Sequence, residues 1–230
     1  MLKSSVKKIL KLFGKRISNY HSPAKPFVNG VEYIKTVFNN PDFIIDIGVA
    51  DGTPEITRVF PYSEYKHILV EANQKFISEL NLIAEKYPKN VIVEHCFCSD
   101  NKGSVQLFVD ESGRKSSKQQ FGSQASSLNI ETKLLDDITL KHNLKGQGLL
   151  KIDVEGAELD VLNGASETLK ICKVVIVECW MNSDQVRNFE NVVSLMDKKG
   201  FKVFDFFGGH CDSEGELKII DVVFISRDYK

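Results

Sequence analysis

The stretch FIIDIGVADG, residues 43–52, decides the fold of this chain. Its first three residues form an apolar run without polar alternation, which is typical of a strand buried on both faces of a parallel sheet. Two glycines follow, and Thr53, Pro54 and Glu55 then favour the start of a helix. A strand, a glycine turn and a helix in this order predict a ligand site against bare backbone at the carboxyl edge of a sheet.

The acidic residue in this turn indicates which ligand the turn suits. Asp46 lies at the end of the strand, and Ile47, Gly48 and Gly52 complete a D-x-G-x-x-x-G pattern. Loops that bind the pyrophosphate of a dinucleotide read G-x-G-x-x-G instead, and an acid here would repel that group. A carboxylate accepts hydrogen bonds from an ammonium group, so the turn favours S-adenosylmethionine, which carries an ammonium and a cationic sulfonium. A plain tight turn after a buried strand is the alternative.

Length, charge and cysteine content bound the class of protein. The 230 residues suffice for one α/β domain with a sizeable core. Seven of the 30 Lys and Arg residues precede Glu32 and no acidic residue does, so the rest of the chain holds 23 basic against 31 acidic residues. This acidic body argues against nucleic acid as a partner. The five cysteines are odd in number and indicate reduced thiols of a cytosolic protein.

The basic residues are concentrated in residues 1–27, which we interpret as an amphipathic helix followed by a connector. In residues 1–18, apolar side chains recur at helical spacing with lysines between them. Such a helix can lie on an anionic membrane surface, pack on the body of the protein or form a mobile tail. No continuous apolar segment follows the basic residues, so they do not predict a signal peptide, and no run approaches membrane-spanning length. We expect a cytoplasmic protein with peripheral contact at the inner face of the membrane.

Strands and helices alternate along residues 28–230, which we interpret as one domain. The predicted buried strands are 43–47, 67–71, 91 to near 98, 148–153 and 174–178. The predicted helices are 28–38, 72–86, 156–169 and 184–199. Two closing strands, 201–207 and 217–225, have no helix between them. This order predicts a Rossmann-like class I methyltransferase fold of the α/β class, with a mostly parallel seven-stranded sheet, a terminal antiparallel strand and helices on both faces.

Two further stretches lie between the third and fourth strands. Residues 104–109 alternate between apolar and polar, which predicts an added strand or hairpin. Residues 111–127 are polar and rich in Ser, Gln and Gly. They predict a long loop of the kind that often serves as a lid or a binding loop.

A second acidic residue lies at the end of the next strand. Glu71 follows the acid of the turn by about 25 positions, which in a strand–helix–strand unit places it one strand over at the same carboxyl edge. An acid there accepts hydrogen bonds from both hydroxyls of a ribose, in an adenosyl cofactor or in NAD. With Ala72 and Ser99 at neighbouring strand ends, Glu71 completes the predicted cofactor site. An ordinary solvated acid at a strand end is the alternative.

The stretch LLKIDVEGAE, residues 149–158, places three charges at alternate positions near a strand end. Lys151, Asp153 and Glu155 are costly beside a buried strand unless they are paired or used. We expect Asp153 at the amino or sulfonium end of the cofactor, and Asp153 or Glu155 as the group that steers or deprotonates an acceptor hydroxyl. A Lys–carboxylate pair that only orders the loop is the alternative.

Other side chains are also candidates for roles in the reaction. His210 follows two glycines in a predicted loop between the closing strands, where it could overhang the site as a base. His95 lies within the third strand and is expected to be structural. The predicted site contains no metal, but Asp153, Glu155 and Glu178 could alternatively hold a divalent cation through oxygen ligands.

From about residue 43 to residue 226 the chain resembles the FkbM family of S-adenosylmethionine-dependent methyltransferases. The matching pieces are FIIDIGVADG, ILVEAN, SSLN at 126–129, LLDDI at 134–138, LLKIDVEGAELDVLNGA at 149–165, IVECW, and the closing FKVFDFFGG and DVVFIS. The resemblance implies O-methylation, often of sugar or polyketide hydroxyls, with Asp46, Gly48, Gly52 and Glu71 at the cofactor and Asp153 beside them. Residues 49–51 depart from the family's usual pattern, but both motif glycines remain.

The residues and the resemblance together predict an S-adenosylmethionine-dependent O-methyltransferase. We expect it to act on a sugar hydroxyl of a glycan, polysaccharide or glycolipid. A small-molecule O-methyltransferase of natural-product synthesis, a module that binds the cofactor without turnover, and an NAD-dependent sugar enzyme are the alternatives. The NAD alternative is the less favoured because an NAD-binding domain normally ends with another parallel unit.

Overall fold

The computed structural model describes residues 26–110, 116–117, 126–181 and 189–229. The helix predicted in residues 1–18, most of the connector after it and most of the long loop at 111–127 lie outside the described residues. The helices are α1 (Phe27–Val37), α2 (Pro54–Val59), α3 (Gln74–Lys86), α4 (Leu135–Lys141), α5 (Glu158–Asn163), α6 (Ser166–Ile171) and α7 (Phe189–Lys198). The strands are β1 (Phe43–Ile47), β2 (His67–Glu71), β3 (Val91–His95), β4 (Phe97–Cys98), β5 (Gly103–Val109), β6 (Ser116–Ser117), β7 (Ser126–Lys133), β8 (Gly148–Ile152), β9 (Cys172–Trp180), β10 (Phe201–Cys211) and β11 (Leu217–Ser226).

The main sheet has seven strands in the order β3-β2-β1-β8-β9-β11-β10. The pairs from β3 to β9 are parallel, and β11 pairs antiparallel with both β9 and β10. Every residue of β1, β2 and β8 is buried, as the apolar residues at the centre of each strand predict. The structure confirms the predicted Rossmann-like class I methyltransferase fold, with a mostly parallel sheet and an antiparallel last strand.

Helices cover both faces of this sheet through separate apolar layers. On one face α1 and α2 pack against the strands, and we call this the α1–α2 layer; it includes Ile34 of α1 and Ile44 of β1. The helix α1 lies so close to the sheet at Gly30 that a Cβ on this residue would stand 2.1 Å from the ring of Phe207. On the other face α5, α6 and α7 pack through side chains such as Met196. The carboxyl ends of the parallel strands therefore meet at one edge between two helical layers.

A smaller sheet, in the order β4-β7-β5-β6, lies between β3 and α4 in the chain. It packs on the body through Phe97, Leu107 and Ile130 in a cluster with Ala157, which follows β8. The alternating residues 104–109 form β5 as predicted. The prediction that the third strand continues to near residue 98 is wrong, because β3 ends at His95 and β4 pairs with β7 in the smaller sheet. The sequence does not predict β7, whose residues, SSLNIETK, are mostly polar.

Two further elements differ from the predictions, and a third can be compared only in part. The helix predicted at 156–169 is two short helices, α5 and α6, separated at Gly164, where a Cβ would lie 2.1 Å from the carbonyl oxygen of Ser99. The described part of α7 begins at Phe189, and residues 184–188 of its prediction lie outside the described residues. The loop predicted for His210 is wrong, because β10 continues to Cys211 through a pairing irregularity at residues 208–209. Within the described residues, no helix has the length and apolar character needed to cross a bilayer.

Candidate active site

The glycine turn after β1 packs directly against the end of β8. The N–H of Gly48 donates to the carbonyl oxygen of Val70 at 2.9 Å, and the N–H of Asp153 donates to the carbonyl oxygen of Ile47 at 3.0 Å. Gly48 has a φ of +78°, and a Cβ on it would lie 1.9 Å from the carbonyl oxygen of Asp153. Only glycine fits this position. The turn therefore presents bare backbone at the sheet edge.

Glu71 at the end of β2 joins this turn to the start of α3. Its Oε2 accepts a hydrogen bond from the N–H of Ala50 at 2.8 Å, and its Oε1 accepts one from the N–H of Asn73 at 2.6 Å. Burial raises the pKa of this carboxyl, and the backbone hydrogen bonds partly oppose that effect. Asn73 in turn caps α3 by accepting from the N–H of Lys75. Both oxygens of Glu71 are therefore held at the strand end that the sequence predicts.

A cleft of about 760 Å³, which we call the first cleft, lies over this edge of the sheet. The predicted site residues that line it are Ile47, Gly48, Glu71, Ala72, Asp153 and Glu155. Its remaining wall is largely apolar and includes Phe76 of α3 and Phe97 and Leu107 of the smaller sheet. The first cleft thus combines bare backbone, a buried carboxylate and an apolar surface.

A buried lysine beneath the turn joins two strand ends. Lys151 of β8 and Asp46 of β1 are direct partners in the parallel pairing, and they are 4% and 2% exposed. The Nζ of Lys151 lies 2.9 Å from Oδ2 of Asp153 and 3.7 Å from Oδ1 of Asp46, which accepts no hydrogen bond within the described residues. Burial raises the pKa of Asp46. Burial favours the neutral form of Lys151, but the attraction of the Asp153 and Asp46 carboxyls is stronger and raises the pKa of the lysine. Lys151 therefore stays charged.

A second cleft, of about 650 Å³, meets the first cleft at Gly48, Ala50 and Asp153. Its polar lining residues are Thr53, Glu55, Lys151, Asp153, Glu178 and Asp221, and Gly52 also lines it. Burial raises the pKa of Glu178 to about 9 and that of Asp221 to about 7; repulsion from Asp153 adds to both effects and Lys151 opposes them. The sequence reasoning missed Asp221, and the available signal was a single acid inside the apolar run KIIDVVFIS.

Comparison with known proteins identifies the family to which this chain belongs. The sequence profile of the family described as "Methyltransferase FkbM domain" matches residues 46–203. The chain belongs to the FkbM methyltransferase family. S-adenosylmethionine is the cofactor of this family.

Two relatives of this chain are named methyltransferases, and one solved structure shares its fold. Methyltransferase sdnD of Sordaria araneosa is 35% identical over 104 residues, 41% of this chain and 39% of the relative. Methyltransferase 1 of Beauveria bassiana is 37% identical over 82 residues, 35% of this chain and 32% of the relative. The match therefore spans 39% and 32% of the length of these relatives. The structure of a Burkholderia thailandensis 1,6-didemethyltoxoflavin-N1-methyltransferase shares the fold at 8% identity, with a TM-score of 0.50 over 88% of this chain and 78% of that one.

The first cleft of this FkbM chain fits the family's cofactor. The absence of a side chain at Gly48 lets a ligand approach the backbone, and the cleft joins that backbone to a buried carboxylate and an apolar wall. Glu71 would accept the ribose hydroxyls, and the apolar wall near Phe76 and Leu107 would cover the base. Asp153 would face the cationic end. Asp46 lines neither cleft and lies beneath the turn, where it balances the charge of the buried lysine.

Several predicted residues lie away from both clefts of the FkbM site. Ser99 packs near Gly164 and lines neither cleft, whereas its neighbour Cys98 lines the first. His210 is exposed on β10, three strands from β8 in the sheet, and lines neither cleft, so the structure does not bring it to Asp153. His95 lies at the end of β3, where its Nε2 is 3.2 Å from the carbonyl oxygen of Ala72, a position that agrees with its expected structural role.

The alternative cation site is not formed in this FkbM chain. In the described parts of the chain, no group of three or more His, Cys, Asp and Glu side chains has an arrangement suited to a metal ion. The candidates Asp153, Glu155 and Glu178 therefore do not form such a group. Asp153 is instead paired with Lys151, and the raised pKa of Glu178 favours its protonated form at neutral pH.

Proposed function

We propose that this chain transfers a methyl group from S-adenosylmethionine to a hydroxyl oxygen of a neutral sugar, in a glycan, polysaccharide or glycolipid. The proposal rests mainly on the meeting of the two clefts at Asp153. The first cleft fits the cofactor, and the second offers carboxyl groups to an acceptor. An acceptor hydroxyl in the second cleft would therefore lie beside the cofactor's reactive end.

The division of labour between cofactor and protein follows from the chemistry of methyl transfer. The cofactor supplies a methyl group that is already activated, so the protein has to align the acceptor oxygen and accept its proton. Asp153 suits both tasks, because its side chain is 36% exposed and lines both clefts. Lys151 fixes its Oδ2 at 2.9 Å, which leaves the other oxygen for an acceptor hydroxyl. Glu155, two residues later, would steer the acceptor from the first cleft.

The charge of the second cleft favours a neutral acceptor that is rich in hydroxyls. Glu55, Glu178 and Asp221 line it, and its lysine is already paired with two other carboxyls. Carboxyl groups bind hydroxyls well because an ionised carboxyl accepts hydrogen bonds and a protonated one also donates. A phosphorylated or uronic-acid acceptor would meet like charges here.

The substitution Asp153→Asn tests this proposal because it keeps the shape of the side chain and removes its charge. The assay follows S-adenosylhomocysteine formation with a panel of neutral methyl glycosides, with a glucuronide as the anionic comparison. We expect turnover to fall about 10²–10⁴-fold, the usual contribution of a positioned base. Glu167→Gln is the matched control, since Glu167 is an exposed carboxyl paired with Lys170 on α6. Near-normal turnover in Asp153→Asn, with a loss in His210→Ala, would place the base on β10 and contradict the proposal.

We also propose that residues 1–27 bring the enzyme to an anionic membrane surface on the cytoplasmic side, and that residues 28–230 form the methyltransferase domain. The support is the basic segment before Glu32, which contains no acid and has apolar residues at helical spacing. Deleting residues 1–19 should abolish sedimentation with anionic liposomes at low salt and leave cofactor affinity unchanged. Full-length protein that stays in the supernatant under these conditions would contradict this proposal.

A further inference from the structure

Two carboxyl side chains of the second cleft face each other across neighbouring strands. Glu178 of β9 and Asp221 of β11 are direct partners in the antiparallel pairing, where the Cβ atoms of opposite residues lie about 4.5–5.5 Å apart. Both side chains are on the α1–α2 face, because Ile176 and Val223, two positions away, pack in that layer. Both are half-buried and line the cleft. Two carboxylates in such a position repel each other, so that one of them takes up a proton.

The other acidic groups of the cleft strengthen this repulsion. Asp153 and Glu155 follow β8, and Glu55 belongs to α2. Repulsion from Asp153 disfavours ionisation of both members of the pair, Glu155 acts on the β9 member and Glu55 on the β11 member. Acidic groups from outside β9 and β11 therefore add to the negative charge around the pair.

The positive and neutral groups around the pair leave both of its carboxyls in the lining of the second cleft. Lys151 of β8 is the cation that faces the pair, but it is held by Asp153 at 2.9 Å and lies 3.7 Å from Asp46. On the other side, Gly208 of β10 stands beside Asp221, where a Cβ would lie 2.7 Å from Oδ2. The direct partner of Asp221 on β10 is Phe207, whose apolar side chain packs in the α1–α2 layer and adds no charge beside the pair.

Burial and charge rank the two members of the pair. Burial raises the pKa of Glu178 to about 9 and that of Asp221 to about 7, with smaller effects from neighbouring charges. Near neutral pH the pair therefore holds a proton, and Glu178, with the higher pKa, is its favoured site. One carboxylic acid and one carboxylate then face the cleft side by side.

We infer that Glu178 and Asp221 hold one proton between them and that this carboxyl–carboxylate pair recognises a second hydroxyl of the acceptor, next to the one presented to Asp153. The inference rests on the proposed function and makes its substrate class more specific. A protonated carboxyl donates a hydrogen bond and an ionised carboxyl accepts one, which matches a hydroxyl, since a hydroxyl also does both. The acceptor class is therefore a neutral sugar with a neighbouring pair of hydroxyls. An ether or ketone at the second position lacks the donor that Asp221 needs.

The shared proton can be measured without any acceptor. In the full chain carrying isotope-labelled glutamate, an infrared pH titration should show a protonated carboxyl near neutral pH. Glu178→Gln should remove this signal, and Glu167→Gln, which changes an exposed carboxyl outside both clefts, should keep it. The same titration with labelled aspartate reports on Asp221, and spectra in which both carboxyls are ionised near neutral pH would overturn the inference, because two carboxylates offer no donor to a hydroxyl.

The recognition is tested by kinetics with methyl glycosides and their monodeoxy analogues. We expect Asp221→Leu to raise KM about tenfold, the loss of one hydrogen bond to a charged group, with little change in kcat. Glu178→Leu removes the donor of the pair and should also raise KM, whereas Glu167→Gln, outside both clefts, should leave KM near the wild-type value. On the analogue that lacks the recognised hydroxyl, Asp221→Leu should have no effect on KM.

Other outcomes separate this inference from the proposed function. A fall in kcat at unchanged KM in Asp221→Leu, or weaker S-adenosylmethionine binding by calorimetry, would overturn the inference alone, because Asp221 would then act in proton transfer or at the cofactor. If the wild-type protein methylates no glycoside, the proposed sugar acceptor fails and the recognition fails with it. The infrared titration would still establish whether the proton is shared.

Discussion

Replacing Gly48 by alanine is the most direct test of how the cofactor turn is built. An alanine Cβ would lie 1.9 Å from the carbonyl oxygen of Asp153 and 2.8 Å from its carbonyl carbon. Both contacts are with backbone atoms beyond the end of β8, so no change of rotamer relieves them. The φ of +78° adds a second difficulty, since an L-residue with a side chain rarely adopts it.

The expected magnitude follows from these two effects. A strained positive φ costs about 1–3 kcal/mol, and forcing a methyl group into packed surroundings costs about another 1–3 kcal/mol. We therefore expect Gly48→Ala to lower the free energy of unfolding by about 2–6 kcal/mol. Because the carbonyl group of Asp153 has to move away from the turn, the affinity for S-adenosylmethionine should also fall, by about tenfold or more.

Gly52→Ala is the matched control within the same turn. Gly52 also has a positive φ, +118°, but no heavy atom of the described residues lies within 4 Å of its Cβ position. It should therefore lose only the conformational part, about 1–3 kcal/mol. Urea unfolding measures the stability of both variants, and titration calorimetry measures their cofactor affinity. Equal losses of stability in the two variants would refute the role given to the contact between Gly48 and Asp153.

Three further predictions concern other buried groups of the main sheet. Glu71→Gln should weaken cofactor binding by about 1–3 kcal/mol in calorimetry, since it removes a charged hydrogen-bond acceptor; unchanged affinity would exclude Glu71 from the cofactor site. Lys151→Met leaves buried Asp46 without its partner and should lower the free energy of unfolding by about 3–5 kcal/mol, and a loss below about 1 kcal/mol would contradict this. Burial lowers the pKa of His67 to about 4, so its protonation favours the unfolded chain. Its contribution to stability should be complete above about pH 6.5 and fall by about 3 kcal/mol as the pH drops to about 4, whereas His67→Gln should flatten this dependence in urea unfolding.

The parts of the fold that sequence predicts are those with a local signal. The strands β1, β2 and β8 are mostly apolar and do not alternate with polar residues, and each is buried over its whole length. Gly48 follows one of these strands, and the positive φ that its position requires is a property of glycine itself. Glu71 could be placed at the same edge because parallel strands joined by one helix end at the same side of a sheet.

The parts that sequence does not predict depend on contacts between distant segments. The polar strand β7 exists because its residues pair with β5 and β4, which no local pattern records. His210 looks like a loop residue after two glycines, but those glycines form an irregularity inside an antiparallel pair. Ser99 ends up near Gly164 through packing of α5 and α6. Asp221 becomes a site residue only through the register that sets it opposite Glu178.

The charged row at the sheet edge is better explained by function than by stability. Its members are Asp46, Lys151, Glu178 and Asp221, one on each of four neighbouring strands. Asp46 is paired with Lys151 and Glu178 with Asp221, and the second pair lies two residues further along the strands than the first. On each strand the residue two positions deeper is apolar and packs in the α1–α2 layer: Ile44, Leu149, Ile176 and Val223. Apolar residues continuing that pattern would stabilise the sheet as well as buried ion pairs do, or better. Lys151, Glu178 and Asp221 line the second cleft and Asp46 supports Lys151 from beneath, so the change to charge occurs where the cleft opens, as the proposed recognition of an acceptor requires.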